Sequence, residues 1–219
     1  MAIISENLTF GTQTKVVSPR IEIRWDPATN DGPVEFHLEQ MTTKRQADGS
    51  LLVIERFFLR VLTVQIADLI GRAYTITAPK ATNVEPSSGN AAIAPAEIST
   101  EHGYNLLLGI KACTRAAYDA NVVMPDPEAD PIARHITIIW NPYNNTGNVS
   151  FQVEDRGAAL GVLTESIAEL TAPVYVIPDL ASGGQLNWAG WKLEAMIKAA
   201  TDIAFLASTA VITAGNEAQ

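Results

Sequence analysis

The stretch Ile21–Gln40, IEIRWDPATNDGPVEFHLEQ, recurs further along the chain as Ile136–Asp155, ITIIWNPYNNTGNVSFQVED. At an offset of 115, nine of the twenty positions are identical: Ile21/Ile136, Ile23/Ile138, Trp25/Trp140, Pro27/Pro142, Asn30/Asn145, Gly32/Gly147, Val34/Val149, Phe36/Phe151 and Glu39/Glu154. Average composition would give about one or two coincidences. Within the first copy Ile21, Ile23 and Trp25 alternate with Glu22, Arg24 and Asp26, and Val34, Phe36 and Leu38 alternate with Glu35, His37 and Glu39. That is the period of a half-buried strand. Between the two runs, Asp26-Pro27 and Asn30-Asp31-Gly32 supply turn residues, so the segment reads as a β-hairpin with a long loop. The second copy repeats the pattern, with Ile139 interrupting its polar face.

Two further blocks follow in the same order. Ile66–Ile76 matches Ile167–Ile177 at an offset of 101, and Gly103–Ala120 matches Gly190–Ala207 at an offset of 87. The second block reads as a turn and a strand, with Tyr74/Tyr175 and Ile76/Ile177 on one parity. In the third, Leu106, Ile110, Cys113 and Ala117 form an apolar helical stripe, as do Leu193, Ile197, Ala200 and Ala204. Thr100 and Asn187, equivalent by offset, stand where N-caps are expected. Trp188 and Trp191 fall in the expected first turn of the second helix.

The reading is an α+β fold made by tandem duplication of a hairpin, further antiparallel strand or strands, and one packed helix. The first repeat spans 1–124, a Pro-rich linker 125–134, and the shorter second repeat 135–219. Each fall in offset marks an insertion of 14 residues in the first copy, within about 41–65 and 78–99. The first contains SLLVIERFFLRVL, apolar on both alternate faces, which suits a covered sheet or a subunit contact. The second, PKATNVEPSSGNAAIAPAEIS, reads as an extended loop, a kind usually functional or disordered. Candidate assembly contacts on these two arms are Leu52, Ile54, Phe57, Phe58, Leu59, Pro86 and Ile93.

Composition narrows the function. The chain is 47% hydrophobic and 18% charged, with a net charge of −9, which disfavours sequence-independent binding to phosphate backbones. Its apolar runs fall short of the roughly 20 residues needed to cross a bilayer, and its N-terminus lacks the basic and apolar regions of a signal peptide. The single cysteine, Cys113, suits a reducing compartment. No metal-ligand spacing, nucleophile motif or phosphate-binding glycine loop is present. The expectation is therefore no enzyme, no cofactor, no metal and no catalytic residue. His37, His102 and His135 read as solvated. The recurring acids Glu39/Glu154 and Asp68/Glu169 read as solvated strand ends. Trp25 and Trp140 share the parity of the isoleucines and so belong in the core, where an aromatic contributes most burial. A sugar- or ligand-binding module is the alternative, with Tyr143, Asn144 and Asn145 at the hairpin tip as its contacts.

The start MAIISENLTFGTQTKV, the paired WDPATNDG and WNPYNNTG hairpins and the loop EPSSGNAAIAPAEIS resemble bacteriophage virion structural proteins of the tail-tube, baseplate-hub and capsid-decoration kinds. The resemblance implies a sheet with a packed helix, sometimes duplicated so that a trimer presents six similar units. It also implies synthesis in the host cytoplasm, residence in the virion, and partners that are further copies and other virion proteins. Contact with packaged DNA would be passive. It transfers no site residue.

Overall fold

The computed structural model describes residues 3–9, 12–26, 28–47, 51–78, 98–122, 124–140 and 146–217; for Ile3–Thr9, Ile203 and the helix beyond Phe205 the description is of the main chain only. The elements run β1 (Ile3–Thr9), β2 (Thr12–Arg24), β3 (Pro33–Arg45), β4 (Leu51–Gln65), α1 (Ile66–Ile70), β5 (Ala73–Thr77), β6 (Ile98–His102) and α2 (Tyr104–Asn121). They continue with β7 (Ile132–Trp140), β8 (Gly147–Asp155), β9 (Ala158–Ser166), α3 (Ile167–Thr171), β10 (Val174–Pro178), β11 (Gln185–Ala189) and α4 (Trp191–Glu217). The class is α+β. The main sheet has the order β4-β3-β2-β7-β8-β9, antiparallel throughout, with β1 pairing beside β2; β5-β6 and β10-β11 are separate hairpins.

The period-2 alternation of the hairpins decides which face of the sheet is covered. Ile21, Ile23, Trp25, Val34, Phe36 and Leu38 are buried, and so are Ile136, Ile138, Trp140, Val149, Phe151 and Val153. The stripes of α2 and α4 lie in the same contiguous core, which draws on both halves of the chain. Both indoles are therefore core residues, as expected. Their Nε1 atoms are buried without a hydrogen-bond partner. Lys111 sits 5.1 Å from the Trp25 ring centroid and Lys198 sits 5.8 Å from that of Trp140, within cation–π range.

The halves are joined twice. At the sheet, β2 meets β7 with Ile21 opposite Ile138, Ile23 opposite Ile136, and Glu22 opposite Thr137. In the sequence alignment Ile21 matches Ile136, Ile23 matches Ile138 and Glu22 matches Thr137. Each residue at this seam thus faces the counterpart of its neighbour, and Glu22 faces its own. Above the sheet, α2 packs on β10 and α4 on β5. Each long helix therefore reaches over the other half's hairpin.

Several local expectations are corrected. The second block is not a turn and a strand: each copy opens with a five-residue helix, α1 or α3, before β5 or β10. Thr100 and Asn187 are not N-caps, since they lie inside β6 and β11. The N-cap position of α2 is Gly103, which has no side chain to cap with. Trp188 precedes α4 and lies in β11; only Trp191 belongs to the helix. Both strands compete with the helix for these residues and win, because they complete hairpins with Tyr74 opposite Glu101 and Tyr175 opposite Trp188. Ile98 and Ser99, assigned to an extended loop, open β6. The first insertion lengthens the β3–β4 hairpin, which pairs from Pro33/Gln65 to Arg45/Leu51 with two register shifts along the way. Residues 79–97, with Pro86 and Ile93, lie outside the described residues.

Candidate functional site: the open sheet edge and the polar groups around it

Among the described residues the sheet ends on β4, and the sequence of that strand explains how its edge is exposed. Near its C-terminal end, Leu62 and Val64 pack against the core from one face. Further out its apolar side chains are less covered. There Leu52, Ile54, Phe57, Phe58, Leu59 and Val61 are between 38% and 64% exposed. Five of these are assembly contacts expected from sequence, and the strand places them along one edge. β3 fixes which of them share a face. Residues opposite its alternate positions are Leu52, Glu55, Phe57 and Arg60 on one side, and Val53, Arg56, Phe58 and Val61 on the other. Ile54 and Leu59 are extra residues, each forming a bulge in β4. The opposite edge, β9, also shows apolar side chains, Val162 most openly. A long apolar edge invites pairing with another chain.

The outer face of the sheet carries a polar network that sequence reasoning did not assemble. Glu22 is almost fully covered by its neighbours. Arg20 Nη2 lies 2.7 Å from its Oε1, and His37 Nε2 lies 3.5 Å from the same oxygen. His135 Nε2 lies 3.3 Å from Oε2, and Arg24 bridges Glu22 and Glu35 at 3.6 and 3.5 Å. Burial pushes the Glu22 carboxyl up, but Arg20, His135 and His37 together hold it below the usual carboxylate value. His37 and His135, expected in solvent, thus flank one carboxylate. They meet because β2 pairs with β3 on one side and with β7 on the other, a relation the sequence does not print. Glu22, Glu35 and His37 offer ligand atoms within 4.8 Å of one another, the one such grouping among the described residues. A cation there would have to compete with Arg20 and Arg24, whose guanidinium groups already neutralise the two carboxylates.

A second network lies between the halves. Glu101 is buried. It accepts hydrogen bonds from Trp188 Nε1 at 3.1 Å, Lys192 Nζ at 2.7 Å, Ser99 Oγ at 2.6 Å and Asn105 Nδ2 at 3.0 Å. Burial alone would raise its pKa; these donors outweigh it and hold the carboxyl below its ordinary range. Charge-assisted bonds of this kind are the strong ones. Trp188 has no exposed surface, and its ring lies so close to α2 that a Cβ on Gly109 would come within 2.4 Å of it.

Other groups that could react are tied into packing, caps or ion pairs, although burial raises the pKa of the Asp202 carboxyl and leaves its Oδ1 without a hydrogen-bond partner. Cys113 is buried among apolar neighbours and its thiol is pushed up to about 12, which leaves no thiolate to act as nucleophile. Glu39 pairs with Arg56 at 2.6 Å, and Glu154 pairs with Arg134. Glu169 completes a capping box with Ser166 on α3. His102 Nδ1 accepts from the backbone N–H of Tyr104 at 3.2 Å. The hairpin-tip residues Tyr143, Asn144 and Asn145 lie outside the described residues. Two apolar voids of about 30 Å³ remain in the core; both are lined almost wholly by hydrocarbon. Among the described residues no helix is long and apolar enough to cross a membrane. Compared with known proteins, the chain matches no family model, no curated protein and no solved structure.

Proposed function

We propose that the chain is a non-enzymatic structural protein that works by assembling, its sheet being continued by another protein chain at the β4 edge. The observation that carries this reading is β4 itself, a 15-residue edge strand with exposed apolar groups on both faces. Leaving such a strand bare in water forgoes the burial that stabilises sheets. The absorption of Cys113, Glu39 and Glu154 into the core and ion pairs supports a role without chemistry. The setting we propose is a bacteriophage virion, on the strength of the resemblance in sequence. Its partners there are further copies and other virion proteins, and a net charge of −9 restricts any contact with DNA to a passive one.

The protomer, in the same proposal, is a tandem duplication. Its support is the recurring element order, the self-complementary register at β2–β7, and bonds that repeat at matched positions. Tyr74 Oη donates to Leu69 O at 2.8 Å, and Tyr175 Oη donates to Leu170 O at 2.7 Å. Thr114 and Thr201 donate to Ile110 O and Ile197 O at 2.9 and 2.8 Å. The antiparallel join sets the two units in opposite senses. A ring of such protomers would alternate its units, unlike a tube of six units that all point one way. An experimental structure in which the halves fail to superpose would remove the duplication. Light scattering on the size-fractionated protein tests assembly. We expect a mass above 23.5 kDa that rises with concentration; a strict monomer at the highest attainable concentration, alone and with virion partners, sinks the reading.

A further inference from the structure

Resting on that assembly reading, we infer that β4 pairs antiparallel with β4 of a second copy about a two-fold axis at Phe57. A two-fold perpendicular to the sheet keeps each face on its own side. Residues brought opposite must therefore come from the same face of the strand. The faces that β3 assigns to β4 meet this condition whenever a residue of β4 pairs with itself, and charge and side-chain type choose among those registers.

With Phe57 opposite Phe57 of the second copy, Arg56 comes opposite Phe58. The extra residue Leu59 then advances one strand by a position, and Glu55 comes opposite Arg60. On the other strand the extra residue Ile54 cancels that advance. Val53 then meets Val61, and Leu52 meets Leu62. Every one of these outer pairs occurs twice, once on each side of the axis. Opposite charges and aliphatic pairs placed directly across a strand pair stabilise it, whereas like charges destabilise it. Arg56 is already neutralised by Glu39 of its own chain at 2.6 Å, so its guanidinium can lie over the partner's Phe58 ring without a bare charge.

Neighbouring registers lose this match. Centred on Phe58, the pairing sets Glu55 against Leu62 and Arg60 against Phe57. Centred on Arg56, it sets two guanidinium groups face to face. Bulges normally discourage pairing at an edge; here the two bulges compensate each other across the axis. The resulting dimer carries one continuous sheet with all its long helices on one side, because the axis does not exchange the faces.

The test uses the full chain. Glu55→Arg and Arg60→Glu each place like charges opposite one another, and each is expected to weaken dimerisation by at least about tenfold in sedimentation or light scattering. The double variant Glu55→Arg/Arg60→Glu restores the opposite pairing and is expected to recover dimerisation to within about threefold. Phe57→Cys is the second arm. A residue facing its own copy has a Cα separation of about 4.5–5.5 Å, inside the range a disulfide spans. Mild oxidation should give a covalent dimer, whereas Phe58→Cys, which faces Arg56, should not. The buried Cys113 thiol stays out of the reaction. Circular dichroism melts identify any variant that has not folded. Failure of the double variant to recover, or no cross-link from Phe57→Cys in a protein that does dimerise, overturns this register while leaving assembly standing. An oligomer indifferent to every β4 variant overturns the use of β4. A monomer throughout overturns this inference, and the assembly reading falls with it only if the chain also stays monomeric in the presence of virion partners.

Discussion

The two halves of this chain agree where geometry leaves no choice and differ where it does. Gly32 and Gly147 are the same residue because a Cβ at either place would lie 1.9 or 2.0 Å from the carbonyl oxygen of Arg24 or Ile139. Tyr74 and Tyr175 are the same because each hydroxyl satisfies a carbonyl at the end of a five-residue helix. At the junction between the halves the match ends. Glu101 and Trp188 are equivalent at the offset of 87, and so are Gly109 and Met196. Trp188 fills the space that Gly109 leaves open, and its N–H binds Glu101. Two indoles or two carboxylates at this place would crowd or repel each other. An unlike pair gives one donor, one acceptor and a filled volume. The junction teaches that segments alike in sequence can pack through residues that are complementary rather than identical.

The strongest way to break that complementarity is to remove the indole. Trp188→Ala empties a fully buried site and takes one donor from a buried carboxylate. We expect a loss of about 3–5 kcal/mol in urea unfolding, the usual range for deleting a core aromatic. Gly109→Leu, which forces a side chain into the same ring, should destabilise through overpacking, by about 1–3 kcal/mol or more. If either variant unfolds like the unmodified protein, the junction does not hold the halves together.

Acid titration sharpens the same comparison, since only one half contributes a carboxylate there. The pKa of Glu101 in the folded protein lies below the ordinary 4.5. Its stabilising effect is therefore complete above that ordinary value and is lost as pH falls through the folded value. Glu22 shares this direction on the outer face. We expect the urea midpoint to fall as pH drops below about 4.5. Glu101→Gln should lower the midpoint at neutral pH, where Lys192 is left without its anion, and should flatten the acid limb. A limb of unchanged steepness would assign the acid sensitivity to Glu22 and other carboxylates.

Periodicity in the sequence showed the hairpins, the helix stripes and the buried place of Trp25 and Trp140, because those depend on residues close in the chain. It also marked Leu52–Leu59 as part of a strand apolar on both faces, suited to a covered sheet or a subunit contact. It could not show the meeting of His37, Glu22 and His135, which requires β3, β2 and β7 side by side. Nor could it show Glu101 with Trp188, whose bond spans 87 positions. The short helices were missed for another reason. Five residues are too few for a helical period to register against a neighbouring strand pattern. One local signal was present: Ser166 followed by Glu169 spells a capping box, and reading it would have placed a helix start at Ile167.

That capping box supplies the smallest test of how the halves differ. In the second half Ser166 Oγ accepts from the Glu169 N–H at 3.2 Å, while Glu169 Oε2 accepts from the Ser166 N–H at 3.0 Å. In the first half the matching N-cap, Gln65, makes no side-chain cap. Its place is taken by Asp31, from the hairpin loop, whose Oδ1 accepts from the Ala67 N–H at 3.0 Å. One helix is thus capped from within its own sequence and the other from a loop 36 residues away. Ser166→Ala should cost about 1 kcal/mol, the ordinary worth of an N-cap, while Gln65→Ala should leave the thermal midpoint where it was. Asp31→Ala should lower the midpoint although it lies outside the helix it caps. Equal losses from Gln65→Ala and Ser166→Ala would mean that both short helices are capped locally. In that case the loop of the first hairpin holds no part of α1, and the two halves differ less than their hydrogen bonds imply.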